Sequence, residues 1–464
     1  MRNALKWALP AAGAVLLALR TLAAEPPSVP ARTSADVPDG FTFAAVGDLL
    51  ETRPVMPLAD PAFLTIDGII RRADVAFGNG EIPIVDVTAP GIYPAAENGA
   101  LNAFGVPTVA ADLRAQGFAM VSRANNHSTD WGVAGMLMTD AFLDRAGIVH
   151  AGTGRDDDAA RRVRFLETRW GRVGLAATTS TFEGNEPAGA AMGDVPGRPG
   201  ASVVHTQQST VIDRSTLDGL KRYYSAPVYH IDDTVGADTI TVYGQSFVVG
   251  PQPGIHYEMD KHDVAAIVRA VRQGNALSNF LVFSTHCHED ASGIGNDVPQ
   301  GGFLRDLAHA VIDAGADVFV GHGPHQVAGI EIYKGKPIFY SLGNYIFQLG
   351  AQENVYPEAY LQFGMDPSKY VDADVMHHFL EHYFREEKWW QSIVAVVSYR
   401  RGAASEIRLY PIELRRDRPE YAWGLPAPAT PQEARAILQR IARLSRPYGT
   451  SIEIDDGIGV IRLR

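Results

Sequence analysis

From Phe41 onward, short apolar runs alternate with amphipathic stretches in a regular rhythm. Residues 41–46 read as a strand, 58–72 hold a helix, and 74–77 form a second strand. A helix over 107–116 feeds a strand at 118–122. Val133, Met136, Leu137, Phe142 and Leu143 recur at helical spacing across 132–146, and 148–151 is the next short strand. Strands alternating with helices in this way predict βαβ units and a mostly parallel layer, hence an α/β fold. The stretches 165–168 and 173–178, joined through Trp170 and Gly171, read as a hairpin.

Between 182 and 258, Gly, Pro, Ser and Thr dilute the pattern. This stretch reads as an insertion carrying one helix over 211–223, in the manner of a lid. The rhythm resumes with a helix at 263–272, an apolar strand at 280–283, a helix at 304–314 and a strand at 317–320. A second hairpin pairs 330–333 with 337–340 about Lys334-Gly335-Lys336. Residues 350–390 are rich in His, Tyr and Trp and read as irregular. Strands follow at 392–399 and 407–414, then a helix at 431–445 and a small β element at 450–463. The main domain runs over 41–420, with 421–464 packed on it, and no internal repeat is visible.

The beginning of the chain changes the picture. Residues 1–7 carry Arg2 and Lys6, residues 8–19 are apolar, and Thr21-Leu22-Ala23-Ala24 offers a small-residue cleavage site. That is the layout of a secretory signal, placing the protein in the periplasm or cell envelope. Arg20 and Leu22 depart from it, and an uncleaved anchor is the alternative. Residues 25–40, rich in Pro, Ser and Ala, read as a tether. Later apolar runs are too short to span a bilayer.

With 464 residues, 46% hydrophobic and 20% charged, the composition is that of a globular chain with a large core. Loss of residues 1–24 removes Arg2, Lys6 and Arg20 and no acid, taking the net charge from −12 to −15. An acidic chain without basic runs argues against nucleic acid as a partner. Cys287 is the single cysteine, so no intrachain disulfide forms.

Candidate chemistry gathers where strands end, the place where open α/β sheets collect ligands. Ala44-Ala45-Val46-Gly47 closes on Asp48, and the strand from Asp74 closes on Gly78-Asn79-Gly80-Glu81. Residues 118–122 lead to Asn125-Asn126-His127. Phe280-Leu281-Val282-Phe283 leads to Ser284-Thr285-His286-Cys287-His288-Glu289, and Asp317-Val318-Phe319-Val320 to Gly321-His322-Gly323-Pro324-His325. Any one of these ends is also an ordinary turn. Five ends delivering carboxylate, amide and imidazole suit Mn, Fe or Zn better than Ca or Mg. Two such ions sharing a carboxylate would clamp the attacking and leaving oxygens of a displacement.

The order of these motifs resembles the capsule-synthesis protein CapA family, the poly-γ-glutamate synthesis branch of the calcineurin-like metallophosphoesterases. The stretches that carry it are Val46 to Leu50, Phe77 to Glu81, Asn125 to Gly132, His286 to Glu289, Gly315 to His325 and Tyr340 to Tyr345. The resemblance implies a four-layer α/β/β/α metallophosphoesterase-like sandwich with one or two divalent ions at its strand ends. By position, Asp48, Asn126, His286, His322 and His325 are implied as metal ligands. Glu81 takes the bridging place usually held by an Asp, and His127 the role of proton donor to the leaving oxygen. Arg198, in Gly197-Arg198-Pro199-Gly200, is similar to a family turn and is expected on the substrate side with Glu289 and Asn344.

The departures carry expectations too. Leu50 stands where the wider superfamily has a His, so one ion would be weakly held, missing, or completed by Glu51 or Glu289. His288 replaces a common Gly, and the last pair is spaced His-x-x-His. Glu381, His382, Glu386, Trp389 and Trp390 form either a substrate wall or an amphipathic helix packing its aromatics. Ser209 and Ser341 lack the context of a nucleophile elbow.

The resemblance implies an exported metal-dependent hydrolase or transferase, acting on phosphoester or amide bonds in capsule, poly-γ-glutamate or another envelope polymer. Its partners would be an anionic envelope polymer or phosphorylated substrate, and membrane-bound capsule synthesis machinery. The alternative is a non-catalytic assembly or export factor for an anionic polymer.

Overall fold

The strand Thr42–Leu50 is the spine of the largest sheet. Its residues alternate between two cores: Phe43 and Ala45 face one, Ala44 and Val46 the other. Burial on both faces is why this stretch reads as a continuous apolar run. It pairs in parallel with Val75–Asn79 and antiparallel with Gln391–Arg400. It also pairs in parallel with Asn344–Phe347, across a bulge between Asp48 and Leu49. The structure, a computed structural model, describes residues 36–95, 102–224, 235–352, 355 and 357–463. The expected export signal at 1–24 and most of the expected tether lie outside the described residues. The tether's last residues pack on the domain: Val37 is buried, and the Gly40 amide donates to the Tyr399 carbonyl at 3.0 Å.

The second sheet runs in the order Ile330–Tyr333, Lys336–Phe339, Val318–His322, Phe280–His286, Gly171–Thr179 and Arg164–Thr168. Between the sheets lies a core shared by Phe43, Phe77, Leu175, Val282 and Val320. Phe280 meets Phe41 and Phe43 there at ring-centroid distances of 5.2 and 5.5 Å. Helices cover the outer faces. Pro61–Arg72 and Val109–Ala115 bury Phe63, Ile66 and Leu113 against the first sheet. Lys261–Ala276 and Gly302–Asp313 bury Ile267, Val271 and Leu307 against the second. The layers are therefore helix, sheet, sheet, helix, as the resemblance implied.

Local chemistry explains where elements begin. Asp60 caps the helix Pro61–Arg72 by accepting from the amides of Ala62 and Phe63, both at 3.0 Å. Pro61 occupies the first turn, where its missing N–H costs nothing, and Arg71 and Arg72 sit at the negative end of the helix dipole.

Two expectations need correction. The insertion carries a sheet besides its one helix. Thr206–Ile212 is a strand, and the helix is Arg214–Tyr224, begun by Asp213, whose carboxylate accepts from the Thr216 amide at 2.8 Å. That strand joins Thr239–Val242, Gln245–Val249 and Gly254–Met259 in a four-stranded sheet. Residues 350–390 contain the helices Pro357–Gln362 and Asp372–Tyr383, the second burying Val375, Met376 and Leu380. Asn344 opens the strand Asn344–Phe347. The small C-terminal β element packs on the main domain by pairing Ile458–Arg462 with Ala403–Glu413, which extends the large sheet.

Candidate metal centre

Parallel pairing aligns the strand ends, so the residues that follow each strand converge. His286 is opposite His322 in register, and Asp48 is opposite both Asn79 and Asn344. The Asp48 turn depends on Gly47, where an added Cβ would stand 1.8 Å from the Gly343 carbonyl oxygen. That close approach lets the Asp48 amide donate to the same oxygen at 3.0 Å.

Six side chains meet there: Asp48, Glu81, His286, His288, His322 and His325. Their donor atoms form three overlapping groups, each within 4.8 Å: Asp48, His286 and His322; Glu81, His286 and His288; Asp48, Glu81 and His325. All six residues are buried. His325 places Nδ1 3.5 Å from Asp48 Oδ2 and Nε2 3.5 Å from Glu81 Oε1. His286 and His322 bring their Nδ1 atoms within 2.9 Å of each other.

Electrostatics favour neutral rings at His286, His288 and His322 beside an ionised Asp48. Burial pushes His322 and His288 down to about 4, and burial with the neighbouring rings pushes His286 well below the usual histidine range. Burial alone would raise Asp48, but the close approach of His325, the neighbouring His322 and the Asn79 amide hold it low. Burial, then the Asp48 charge, push Glu81 well above the usual carboxylate range.

These residues fit a divalent metal. Glu81 Oε1 and Oε2, Asp48 Oδ2, His286 Nε2 and His288 Nε2 are buried with no hydrogen-bond partner among the described residues. Each such atom costs about 1–3 kcal/mol when left unpaired, and a cation would satisfy several at once. Neutral imidazoles and carboxylates are the donor types that suit Zn, Mn or Fe.

Surrounding groups orient the rings, as outer partners of metal-binding histidines commonly do. Ser284 Oγ lies 2.6 Å from His322 Nε2, and Asn344 Oδ1 lies 2.9 Å from His325 Nδ1. Asn79 Nδ2 donates to Asp48 Oδ1 at 2.8 Å, and its Oδ1 accepts from Asn125 Nδ2 at 3.2 Å. Asn125 thereby ties the His127 loop to the centre. Asn126, the residue implied as a ligand, is half-buried in that loop. His127 Nδ1 meets Asp130 Oδ2 at 2.8 Å. Burial would lower its pKa, but the charge and hydrogen bond of Asp130, with Glu186 and Asp48, raise it.

The three expected substrate contacts are placed differently. Arg198 is exposed and donates through Nε and Nη2 to the Pro187 carbonyl. Glu289 accepts from the hydroxyls of Ser180 and Thr181 at 2.7 and 2.8 Å. Asn344 spends its amide on His325 and on the Trp389 carbonyl, so it orients a ring.

Neither group considered for the missing partner of Leu50 takes that place. Leu50 is buried in the outer core of the first sheet, and Glu51 accepts from Gln116 Nε2 at 2.8 Å. The residue that joins the centre is His288. Its Nδ1 is held by Asn296 Oδ1 at 2.8 Å and the Gly295 carbonyl at 3.1 Å, which leaves Nε2 for the Glu81 and His286 group. Sequence reasoning read it only as a departure from Gly. It also left Asn79 and Asp130 without roles, although both lie inside the motifs it singled out.

The candidate wall residues are mostly structural. Trp389 and Trp390 are buried, Glu381 pairs with Arg416, Glu386 lies 3.3 Å from Lys388, and His382 stacks near His378. Phe384 reaches the centre's edge, with its ring 5.5 Å from that of His325.

Comparison with known proteins agrees with this geometry. Residues 42–349 match the family model described as bacterial capsule synthesis protein PGA_cap. The uncharacterized protein y4sH of Sinorhizobium fredii is 38% identical over 444 residues, covering 93% of this chain and 95% of the relative. The PGA biosynthesis protein CapA of Bacillus subtilis is 26% identical over 70% of this chain and 67% of its own length. The capsule biosynthesis protein CapA of Bacillus anthracis is 24% identical over 67% of this chain and 60% of its own. With two thirds of its length matched and its strand ends converging on one centre, the chain belongs to the bacterial capsule synthesis protein family PGA_cap.

Proposed function

We propose that this protein is an exported, metal-dependent hydrolase or transferase acting on an anionic envelope polymer. The observation that carries this reading is the set of buried, unpaired carboxylate oxygens and imidazole nitrogens at the strand ends. Asp48, Glu81, His286, His288, His322 and His325 would hold one or two ions, with Asn126 as the amide ligand implied by resemblance. Such an ion supplies Lewis-acid polarisation of a phosphoryl or carbonyl oxygen and a nucleophile at neutral pH.

The remaining work falls to this chain's own groups. Asp130 holds one nitrogen of His127, favouring the protonated imidazole, and the opposite nitrogen is placed to give its proton to a departing oxygen or nitrogen. Phe384 and the buried aromatics behind it keep water from the rear of His325. The polymer substrate is supported by the names of the Bacillus relatives, and export by the charged, apolar and small-residue sequence of residues 1–24.

Metal analysis of the purified protein tests the reading. Bound or restorable manganese, iron or zinc in the native chain, lost in His322→Ala and Asp48→Ala, is the expected result. A folded native protein that takes up none of the three overturns it. Leu50, turned into the core, favours a second reading, a non-catalytic assembly factor for an anionic polymer. Polymer production that survives His127→Ala but not loss of the whole protein would select it.

A further inference from the structure

The helix Asp372–Tyr383 turns Val375, Met376 and Leu380 into the core and leaves His378 and His382 exposed, one turn apart. Side chains at that spacing are neighbours on a helix. The two rings lie nearly parallel, 13° apart, with their centroids 6.1 Å from each other. Phe363 meets His378 edge-on at 5.1 Å, and Tyr383 meets His382 edge-on at 4.5 Å. Phe363 and Tyr383 also touch each other, at 6.5 Å, so one aromatic pair backs both imidazoles. Neither imidazole forms a hydrogen bond or ion pair with a described residue. Both therefore keep a ring nitrogen for a ligand from solvent.

The stretch His378-Phe379-Leu380-Glu381-His382 has the spacing His-x-x-Glu-His, one that zinc hydrolases place on a helix. In the mirrored His-Glu-x-x-His arrangement the two rings hold zinc and the carboxylate serves as base. Here the carboxylate is committed elsewhere. Glu381 pairs with Arg416, whose guanidinium packs over the rings of Trp390 and Trp423. What remains on the helix is a pair of imidazoles without a base.

We propose that His378 and His382 form a separate metal site, open to solvent, that takes a Zn, Cu or Ni ion. A pair of imidazole donors suits these ions, whereas Ca and Mg take oxygen. The ion lies outside the core, so water completes its coordination and no charge has to be buried. A chelate across one turn also ties neighbouring turns of the helix together. None of this depends on the function proposed above.

Calorimetric titration of metal-free protein with zinc tests the site, using His378→Gln, His382→Gln and the double variant. The native chain should take up about one ion more than the double variant. Each single change should weaken that step at least about tenfold, because the chelate needs both rings. The variant Asp48→Ala, His322→Ala should keep the step, and Glu381→Gln should leave it unchanged. Zinc should slow amide hydrogen exchange across residues 372–383 in the native chain and not in the double variant. Equal stoichiometry in native and double variant, or a step retained by both single variants, overturns the proposal. Loss of the step in Asp48→Ala, His322→Ala also overturns it, by placing the ion at the strand ends. A step weakened by Glu381→Gln returns the carboxylate to the site and overturns the two-imidazole assignment. A protein whose strand-end centre binds no metal can still pass this test, so the two proposals fail separately.

Discussion

Nδ1 of His127 lies 2.8 Å from Oδ2 of Asp130, an acid whose side chain is fully buried while the imidazole is 29% exposed. The acid fixes one ring nitrogen and leaves the other for chemistry at the surface of the centre. Asp130→Asn keeps the shape and removes the charge. Turnover of a chromogenic phosphodiester by the metal-loaded protein should fall by about 10²-fold or more, the usual contribution of a positioned acid, with metal content unchanged. An unaltered kcat would take Asp130 out of the reaction.

His288→Gly removes one buried donor from the Glu81 and His286 group. Metal affinity measured by calorimetry should weaken by about 10–100-fold at one site. Asn296→Ala should act in the same direction and less strongly, because it frees the ring without deleting it. Native affinity and stoichiometry in His288→Gly would show that the ring is a bystander.

Glu186 reports on pH. Burial, opposed by the Glu183 amide and reinforced by the Asp130 charge, pushes its pKa up to about 8. The folded state therefore holds a proton that the unfolded chain releases near 4.5, and the stability this confers is complete below that value. It declines as the pH rises and is lost once the pH passes about 8. Urea denaturation of metal-free protein should show Glu186→Gln more stable than the native chain by about 1–3 kcal/mol at the alkaline end, with little difference near pH 4.5. The same difference at both ends would rule out the proton as its source.

Gly47→Ala should be among the most damaging single-atom changes. Its Cβ would collide with the Gly343 carbonyl at 1.8 Å, and two buried strands cannot part without moving Asp48 and Asn344 together. Loss of about 3 kcal/mol or more is expected in thermal or urea melts, with metal uptake impaired in whatever folds. A native-like melt would mean the strands separate freely.

The ligand-bearing strands are legible because they are buried on both faces. Phe280 to Phe283 and Val318 to Val320 have no polar interruption until the chemistry begins at Ser284 and at His322. The four-stranded sheet of the insertion hides from the same reasoning. Thr206–Ile212, for example, opens on Thr, Gln, Gln, Ser and Thr before its first apolar residue, so no face declares itself. Within the centre, Asp48, Glu81, His286, His322 and His325 are marked by their places after strands. The part played by His288 depends on Gly295 and Asn296 returning over its ring, which no local pattern encodes. Arg198 and Glu289 have suitable chemistry, but Pro187 and the Ser180-Thr181 hydroxyls compete for them successfully.

The strand that carries Asp48 is zipped on one side to Gln391–Arg400, more than three hundred residues downstream. A chain emerging in order from a ribosome or a translocation pore must wait for that partner before its first strand is seated. Any ion the centre holds would thus be taken up at the end of folding, from the pool surrounding the finished chain. Which metal the protein carries would then record where it completed folding as much as what its ligands prefer.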